Sequence, residues 1–190
     1  MKKIGLFFGS NTGNTEMNAD LFKKKFDEFF AEKVTIEVHN IGTTDIKKME
    51  EYTYLIVGSP TWNIGELQDD WAIKFDSIKS LNLQNKLIAM FGVGDQFGYP
   101  DNYCDAIGIL GKAFEGQGAE LVGVTDAAEY EFSNSLGVEN GAFIGLALDD
   151  DNQNSLTDER VEYWVDQLMY DFGIIPSPIG PAGHPDYTPA

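Results

Sequence analysis

Short apolar runs alternate with helical repeats along this chain. Five runs have the length and the β-branched or aromatic content of buried strands, and they cover residues 4–8, 34–38, 54–57, 87–93 and 121–124. Apolar residues recur at helical spacing between them, over residues 22–30, 67–78 and 106–114, with Phe22, Phe26, Phe29 and Phe30 on one helix face. This alternation predicts an α/β fold in which a doubly wound, five-stranded parallel sheet carries helices on both faces.

The fifth run does not lead directly into a helix. A polar stretch from 125 to 141 separates it from another apolar run at 142–148, so we interpret residues 121–148 as one edge strand with an excursion inside it. A final helix follows, with apolar positions at Val161, Trp164, Val165, Leu168, Met169 and Phe172. Before them, Ser155 and Asp158 have the spacing of a capping box, which predicts the start of this helix.

Composition and charge narrow the possible functions. The chain has 190 residues, 43% hydrophobic and only 23% charged, which indicates one core and one domain over residues 1–173. Its net charge is −18, and all of it lies after residue 50, where 5 Lys and Arg stand against 23 Asp and Glu. Nucleic acids and anionic membranes need clustered basic residues, so neither is expected as a partner. The acidic field favours partners with basic faces, and a role in solubility alone is the alternative.

The remaining features indicate a soluble, monomeric, intracellular protein. The apolar run near the N-terminus is too short for a signal peptide or a membrane span, so we expect the cytoplasm, with a plastid stroma as the alternative. Cys104 is alone and cannot close a disulfide within the chain, and His39 and His184 are expected at the surface. Residues 174–190 hold five of the seven prolines and predict an extended tail, either a tolerated extension or a partner-binding segment.

The loop after the first predicted strand has the composition of an anion site. Its sequence, GSNTGNTE at 9–16, lies between a strand and a helix, where backbone N–H groups and the helix dipole favour an anion. Gly9 and Gly13 permit tight turns, and the hydroxyl and amide side chains are Ser10, Asn11, Thr12, Asn14 and Thr15. The segment lacks the lysine of a triphosphate loop and the glycine spacing of a dinucleotide loop. It therefore favours a monophosphate, and a polar turn that only caps the helix is the alternative.

Two further loops at the same predicted edge carry aromatic residues. Residues 58–71 contain Trp62, and residues 92–103 contain Tyr99 and Tyr103. An aromatic side chain in a loop at the ligand edge of a parallel sheet either anchors the fold or stacks on a flat ring. Together with the anion loop, they describe a pocket for a planar heterocycle with one phosphate.

These motifs resemble the long-chain flavodoxins. The resemblance covers residues 2–173, and its motifs are the anion loop at 9–16, PTWNIGELQ at 60–68, GDQFGYPDN at 94–102 and GLALDDDNQNSLTDERV at 145–161. It implies a flavodoxin-like fold and FMN as a noncovalent cofactor. The cofactor phosphate would be held by Ser10, Asn11, Thr12, Gly13, Asn14 and Thr15. The polar stretch at 125–141 is similar in place and length to the insertion that defines the long-chain subclass.

The resemblance also implies how the flavin ring is held. Trp62 and Tyr99 would sandwich the ring, and Asn63, Ile64 and Gly65 would face its redox edge, with the Asn63–Ile64 carbonyl turned toward the flavin nitrogen that is protonated on one-electron reduction. Pro60 and Thr61, in the same loop, would also bind the cofactor. The pyrimidine edge would meet Gly94, Asp95, Gln96, Asn102 and Cys104, and Asp151 would lie near the ribityl chain. Position 104 is often Gln in this family. We expect only the backbone of Cys104 to meet the flavin, because a free cysteine usually behaves as a small buried apolar residue.

The residues themselves favour an electron carrier without substrate turnover. No His, Lys or Arg occurs in the three ligand-edge loops, so no side chain there is suited to acid–base catalysis at neutral pH. Each carboxylate about 10 Å from a reduced, anionic flavin disfavours it by about 1.5 kcal/mol at a dielectric of about 20. This predicts a low potential for the second electron and a well-separated semiquinone couple.

Partners and alternatives follow from the same interpretation. The resemblance implies reductases for flavodoxin or ferredoxin that use NADPH, photosystem I, nitrogenase or other reductive enzymes as partners. The alternative is a flavodoxin-like quinone or azo reductase that uses NAD(P)H. A receiver-type signalling module is disfavoured, because the third predicted strand ends in Gly58, Ser59 and Pro60 where that class needs an acceptor aspartate.

Overall fold

Strands and helices alternate as the sequence predicts. The structure is a computed structural model that describes residues 1–176. Its strands are β1 (Lys2–Phe8), β2 (Val34–Asn40), β3 (Tyr54–Trp62), β4 (Glu66–Leu67), β5 (Leu87–Val93), β6 (Glu120–Val122), β7 (Thr125–Asp126), β8 (Val138–Glu139), β9 (Ala142–Phe143) and β10 (Gly145–Leu148). Its helices are α1 (Asn14–Phe30), a 3₁₀ helix (Ile46–Glu51), α2 (Asp69–Ile78), α3 (Asp105–Glu115) and α4 (Asn154–Asp171).

The main sheet is parallel in the order β2, β1, β3, β5, with β6 and β10 sharing the edge beyond β5. β6 pairs with residues 87–89 of β5, and β10 pairs with residues 90–93. The two short strands therefore occupy successive halves of one edge position, as predicted for residues 121–148. The excursion between them contains a small antiparallel sheet in the order β7, β9, β8.

Side chains alternate along the strands between two separate cores. From β1, Ile4, Leu6 and Phe8 belong to the core that contains buried residues of α1 and α4. Phe7 belongs to the core on the opposite face, with buried residues of α2 and α3. The strand is buried on both faces and so reads as a continuous apolar run. Helices packed on both faces hold the carboxyl ends of the strands, and the loops that leave them, in a fixed arrangement.

The predicted cap of the last helix is wrong, and one residue of the phenylalanine face is exposed. Ser155 lies inside the first turn of α4, which begins at Asn154 and has no side-chain cap. Asp158 instead pairs with Lys25 Nζ at 2.7 Å, because α1 packs against α4 and buries most of the lysine. Phe29 is 47% exposed. It follows Lys25 by four residues, so the two share a helix face, and Lys25 Nζ lies 5.9 Å from the centre of the Phe29 ring.

His39 is half-buried, which corrects the prediction of a surface position. Its Nε2 lies 2.8 Å from Tyr52 Oη, and its ring centre is 4.7 Å from that of Phe7. Desolvation, followed by the charge of Lys48, lowers the pKa of His39. His184 lies outside the described residues.

The first residues after α4 pack against the core of the domain. Ile174 and Ile175 contact the core between α1, α4 and the sheet, and both backbone N–H groups donate to Met169 O. The rest of the predicted tail, from residue 177, lies outside the described residues. Within residues 1–176, no helix is both long enough and apolar enough to cross a membrane.

Candidate functional site

Three loops meet at the carboxyl edge of the sheet. Phe8 at the end of β1 pairs with Gly58 of β3, and Pro60 of β3 pairs with Val93 at the end of β5. The chain segments that follow these positions therefore leave the sheet side by side, where doubly wound folds bind ligands. This register brings the predicted anion loop and the two aromatic loops to one edge.

The first loop ends at an open helix N-terminus. Gly13 precedes α1 with a φ of +95°, and nothing lies within 4 Å of the position its Cβ would take. Its N–H donates to Ser10 Oγ at 3.0 Å, and no side chain caps α1. The N–H groups of the first helical turn have no acceptor inside the helix. They are therefore available to an anion.

Thr15 supplies a second sign that this loop binds a ligand. Its side chain is buried, and Thr15 Oγ1 has no hydrogen-bond partner among residues 1–176. A buried hydroxyl without a partner costs free energy, so such groups are rare unless a ligand or water completes them. The hydroxyl and the open N–H groups together fit a phosphate.

Gln68 holds the anion loop against α2, a role that its local sequence does not predict. Its side chain is fully buried, and Nε2 donates to Asn11 Oδ1 at 2.7 Å. Its Oε1 accepts from the N–H groups of Asp70 and Trp71 at 3.0 and 3.1 Å and so caps α2. The sequence feature that could have indicated this capping role is the position of Gln68 directly before the acidic first turn of α2. The Asn11 side chain is therefore turned toward α2.

The second loop forms a hairpin at the end of β3. Trp62 pairs with Glu66 of β4, and the turn between them has φ of +46° at Asn63 and +79° at Gly65. Asn63 Nδ2 donates to Glu66 Oε2 at 2.7 Å. Ile64 at the tip is 80% exposed. The hairpin is thus fixed at its base and presents its tip outward.

The hairpin is seated on the start of α3. A Cβ at Gly65 would come within 2.6 Å of Asp105 Oδ2 and 2.9 Å of Asn102 Nδ2. Nearby, the Ala106 N–H donates to Thr61 Oγ1 at 3.0 Å. The Asn102 amide also donates to Asp105 Oδ2 at 3.0 Å. These contacts couple the second loop to the third.

Trp62 and Tyr99 are the aromatic side chains at this edge. Tyr99 is 53% exposed, and Trp62 is half-buried with an Nε1 that has no partner in the described part of the chain. Neither ring packs against another aromatic ring within residues 1–176. Tyr103 differs, since it is 1% exposed and its ring lies near those of Tyr130, Phe132 and Phe143. Its ring therefore supports the loop from inside.

Several groups of the third loop are already engaged within the protein. The Gly94 N–H donates to Leu148 O at 3.0 Å. Gln96 is fully buried, and both its backbone N–H and its Nε2 donate to Asp149 Oδ2, at 3.1 and 2.8 Å. The Gln96 side chain therefore shapes this loop from within, whereas the resemblance implied a contact with the ligand.

Cys104 is buried at the start of α3. It has a φ of +54° at the N-terminal boundary of the helix, and its Sγ faces the backbone of Gly92 and Gly94. Burial raises the pKa of its thiol. The side chain thus behaves as a small apolar group, as the sequence predicted.

Four carboxylates gather beside the third loop. The pKa of Asp151 is raised, first by desolvation and then by the charges of Asp95, Asp149 and Asp150. The pKa of Asp95 is lowered, chiefly because it accepts a hydrogen bond from the Gly98 N–H. No group of three or more His, Cys, Asp or Glu within residues 1–176 is arranged to hold a metal ion. Negative charge is therefore concentrated here, so an anion at this edge would have to be held by hydrogen-bond donors.

Fold and site together define a doubly wound α/β protein with a cation-free anion loop and two unstacked aromatic rings at the carboxyl edge of its sheet. The family model of flavodoxins matches residues 6–164. A flavodoxin of Nostoc sp. is 46% identical over 173 residues, which are 91% of this chain and 99% of that protein. Flavodoxin 2 of Escherichia coli is 40% identical over 168 residues, 87% of this chain and 94% of the other. The chain belongs to the flavodoxin family.

Solved structures agree with this assignment. A flavodoxin of Fusobacterium nucleatum, in a structure bound to flavin mononucleotide, superposes with a TM-score of 0.82 at 28% identity. The match covers 88% of this chain and 97% of that one. The sheet and the helices on both faces are thus flavodoxin-like.

Proposed function

We propose that this chain binds FMN noncovalently and is a low-potential one-electron carrier between redox proteins. The observation that carries the proposal is the buried, unpaired hydroxyl of Thr15 at an uncapped helix N-terminus. Membership of the flavodoxin family and the FMN-bound relative from Fusobacterium nucleatum support it.

The anion loop would hold the FMN phosphate. The hydroxyls of Ser10, Thr12 and Thr15 and the N–H groups of the first turn of α1 are hydrogen-bond donors without a positive charge. Amide donors of Asn11 and Asn14 belong to the same loop, although Asn11 is held by Gln68. Hydrogen bonds to an ionised acceptor are about twice as strong as neutral ones, so a dianionic phosphate does not need a lysine here.

The aromatic loops would hold the ring. Trp62 and Tyr99 supply two flat surfaces, with Pro60, Thr61 and the Asn63–Gly65 turn beside them. The hairpin ladder pairs Thr61 with Leu67 and Trp62 with Glu66, so the peptides of the turn lie outside it. At the other edge, the remaining binding residues are Gly94, Asp95, Asn102, Cys104 through its backbone, and Asp151.

When bound, FMN supplies the one-electron chemistry, and the protein tunes it electrostatically. Asp95, Asp149, Asp150 and Asp151 place negative charge beside the third loop, and no basic side chain occurs in the ligand-edge loops. Adding negative charge to this site is therefore disfavoured. A low potential for the second electron is the expected result.

The charge distribution favours redox partners with basic faces, because an acidic field steers them to the molecule. Of the candidates named by resemblance, reductases that use NADPH and photosystem I belong to this proposal. The cytoplasm is the proposed location, and a monomer is the proposed state.

An anaerobic reductive titration, followed by the visible spectrum, tests the carrier function. We expect the purified protein to take up FMN and to show two separate one-electron steps, the second at the more negative potential. A single two-electron step would contradict the carrier. Steady-state NADPH oxidation with a quinone, catalysed by the protein alone, would indicate a reductase instead.

A further inference from the structure

Gln96 and Asp149 form a buried pair beneath the third loop. Asp149 is 1% exposed and follows β10 directly, and Gln96 lies fully buried in the loop after β5. Two N–H groups of Gln96 donate to the same oxygen, Asp149 Oδ2. The pair thus connects two chain segments that are 53 residues apart.

Gln96 also reaches the excursion of the edge strand. Its Oε1 accepts from the Glu131 N–H at 2.6 Å. One buried amide therefore joins the third loop, the segment after β10 and the excursion. The Gln96 amide oxygen, its amide nitrogen and its backbone N–H therefore all make hydrogen bonds within the protein.

Asp149 is a buried carboxylate stabilised by hydrogen bonds. The backbone N–H of Asn152 donates to its Oδ1 at 3.0 Å, and Asn152 Nδ2 lies 3.0 Å from both carboxylate oxygens. No ion pair to Asp149 occurs within residues 1–176. Asn152 Nδ2 also donates to Asp95 Oδ1 at 2.8 Å. Through Asn152, the buried charge helps to hold the aspartate that begins the loop.

Asp95 in turn organises the loop up to Tyr99. Its Oδ1 accepts from the Phe97 and Gly98 N–H groups at 3.0 and 2.7 Å, and its carbonyl accepts from the Tyr99 N–H at 3.0 Å. Asp149 therefore supports a chain of contacts that ends at the backbone N–H of Tyr99, the residue that carries the exposed aromatic ring. A buried, hydrogen-bonded network of this kind fixes a unique loop geometry.

We propose that Gln96 and Asp149 are positioning residues for the flavin site. This inference rests on the proposed FMN site. In this proposal, the pair determines the shape of the 94–99 loop and the position of the Tyr99 ring. Neither side chain needs to touch the cofactor.

The test uses two single variants and their combination. Asp149→Asn removes the charge at nearly constant shape. It also replaces one acceptor oxygen by an amide N–H group, which faces the N–H donors of Gln96. Gln96→Glu places a second carboxylate against the first. In the double variant, Glu at 96 can accept from Asn at 149, so the side-chain hydrogen bond is restored, whereas the backbone N–H of residue 96 still lacks its carboxylate acceptor. Glu139→Gln, an exposed carboxylate in the excursion, is the matched charge control.

FMN dissociation constants and both midpoint potentials are measured for each protein. Loss of a hydrogen bond to a charged group is expected to weaken FMN binding by about tenfold or more in each single variant. The double variant should bind FMN at least about tenfold better than the product of the single effects predicts. Asp149→Asn should make the second potential less negative, because an unscreened negative charge is removed.

Two outcomes separate this inference from the proposed function. If the unaltered protein takes up no FMN, the proposed function fails first. If it binds FMN, but Asp149→Asn matches Glu139→Gln in affinity and potential, only the positioning role is overturned. Should Asp149→Asn not fold, Gln96→Met replaces it: it removes the side-chain bonds without adding charge, and unchanged FMN affinity would then contradict the proposal.

Discussion

Gly9 and Gln68 lie so close that a Cβ on Gly9 would come within 2.2 Å of Gln68 Oε1. That oxygen caps α2, and the nitrogen of the same amide holds Asn11 of the anion loop. Because Gly9 has no side chain, there is room for the Gln68 amide beside it. The amide in turn fixes the first loop relative to the second. If the loop holds the phosphate as proposed, we expect its binding to depend on this contact.

Gly9→Ala should therefore weaken both the fold and FMN binding. The added methyl group displaces Gln68 or Trp71, whose Cδ1 would be 2.8 Å away, and overpacking of this kind costs about 1–3 kcal/mol. Gly116→Ala is the control, because its nearest neighbours would be 3.4 Å away. Urea unfolding and FMN titration of both proteins check this, and equal stabilities would show that Gln68 moves freely.

Thr15→Val should weaken binding of FMN and leave binding of riboflavin unchanged. The variant keeps the shape of the side chain and removes the buried hydroxyl that we assign to the phosphate. Loss of a hydrogen bond to a charged group weakens affinity by about 10- to 100-fold. Riboflavin lacks the phosphate, and Thr15→Ser keeps the hydroxyl. Fluorescence titrations with the two ligands make the comparison, and a matching loss for riboflavin would place Thr15 elsewhere in the site.

Gly65→Ala should cost more stability than Gly141→Ala. Both glycines have a positive φ, +79° and +84°, so both variants carry a backbone strain of about 1–2 kcal/mol. Only at Gly65 does the new Cβ also approach Asp105 and Asn102, whereas nothing lies within 4 Å at Gly141. Thermal unfolding of the two variants measures the difference. A larger loss for Gly141→Ala would mean that the hairpin is not seated on α3 as described.

Glu37 should make the protein more stable at neutral pH than in acid. Its hydrogen bonds from Lys3 and then Tyr52 lower its pKa from 4.5 to about 2. Because the folded-state pKa lies below the unfolded one, this stabilisation is complete above about pH 4.5 and is lost as the pH falls toward about 2.

Glu37→Gln should therefore cost about 1 kcal/mol at pH 7, since water screens the partly exposed carboxylate. The difference from the unaltered protein should shrink in acid. Urea unfolding across this pH range checks it, with Glu28→Gln, an exposed carboxylate on α1, as the control. A difference that stays constant with pH would rule out the charge of Glu37 as its cause.

The sequence predicted the site best where its chemistry is local. The anion loop, 9–16, needs only a strand, a turn and a helix start, and neighbouring residues in the sequence indicate all three. Trp62 and Tyr99 could also be found, because parallel strands bring their following loops to one edge. Ser155 was wrongly predicted as a cap, since spacing alone does not show which of several polar residues precedes the helix.

By itself, the sequence determined the alternation of strands and helices and the acidic character, because periodicity and charge are properties of neighbouring residues; it predicted one core, whereas the sheet divides the buried side chains into two. Only the tertiary structure decided which polar side chains face the ligand edge and which are used within the protein. Gln68 and Gln96 look alike in the sequence, yet their partners, Asn11 and Asp149, are 57 and 53 residues away. Hydrogen bonds between such distant positions depend on how the layers pack, and no local pattern encodes them.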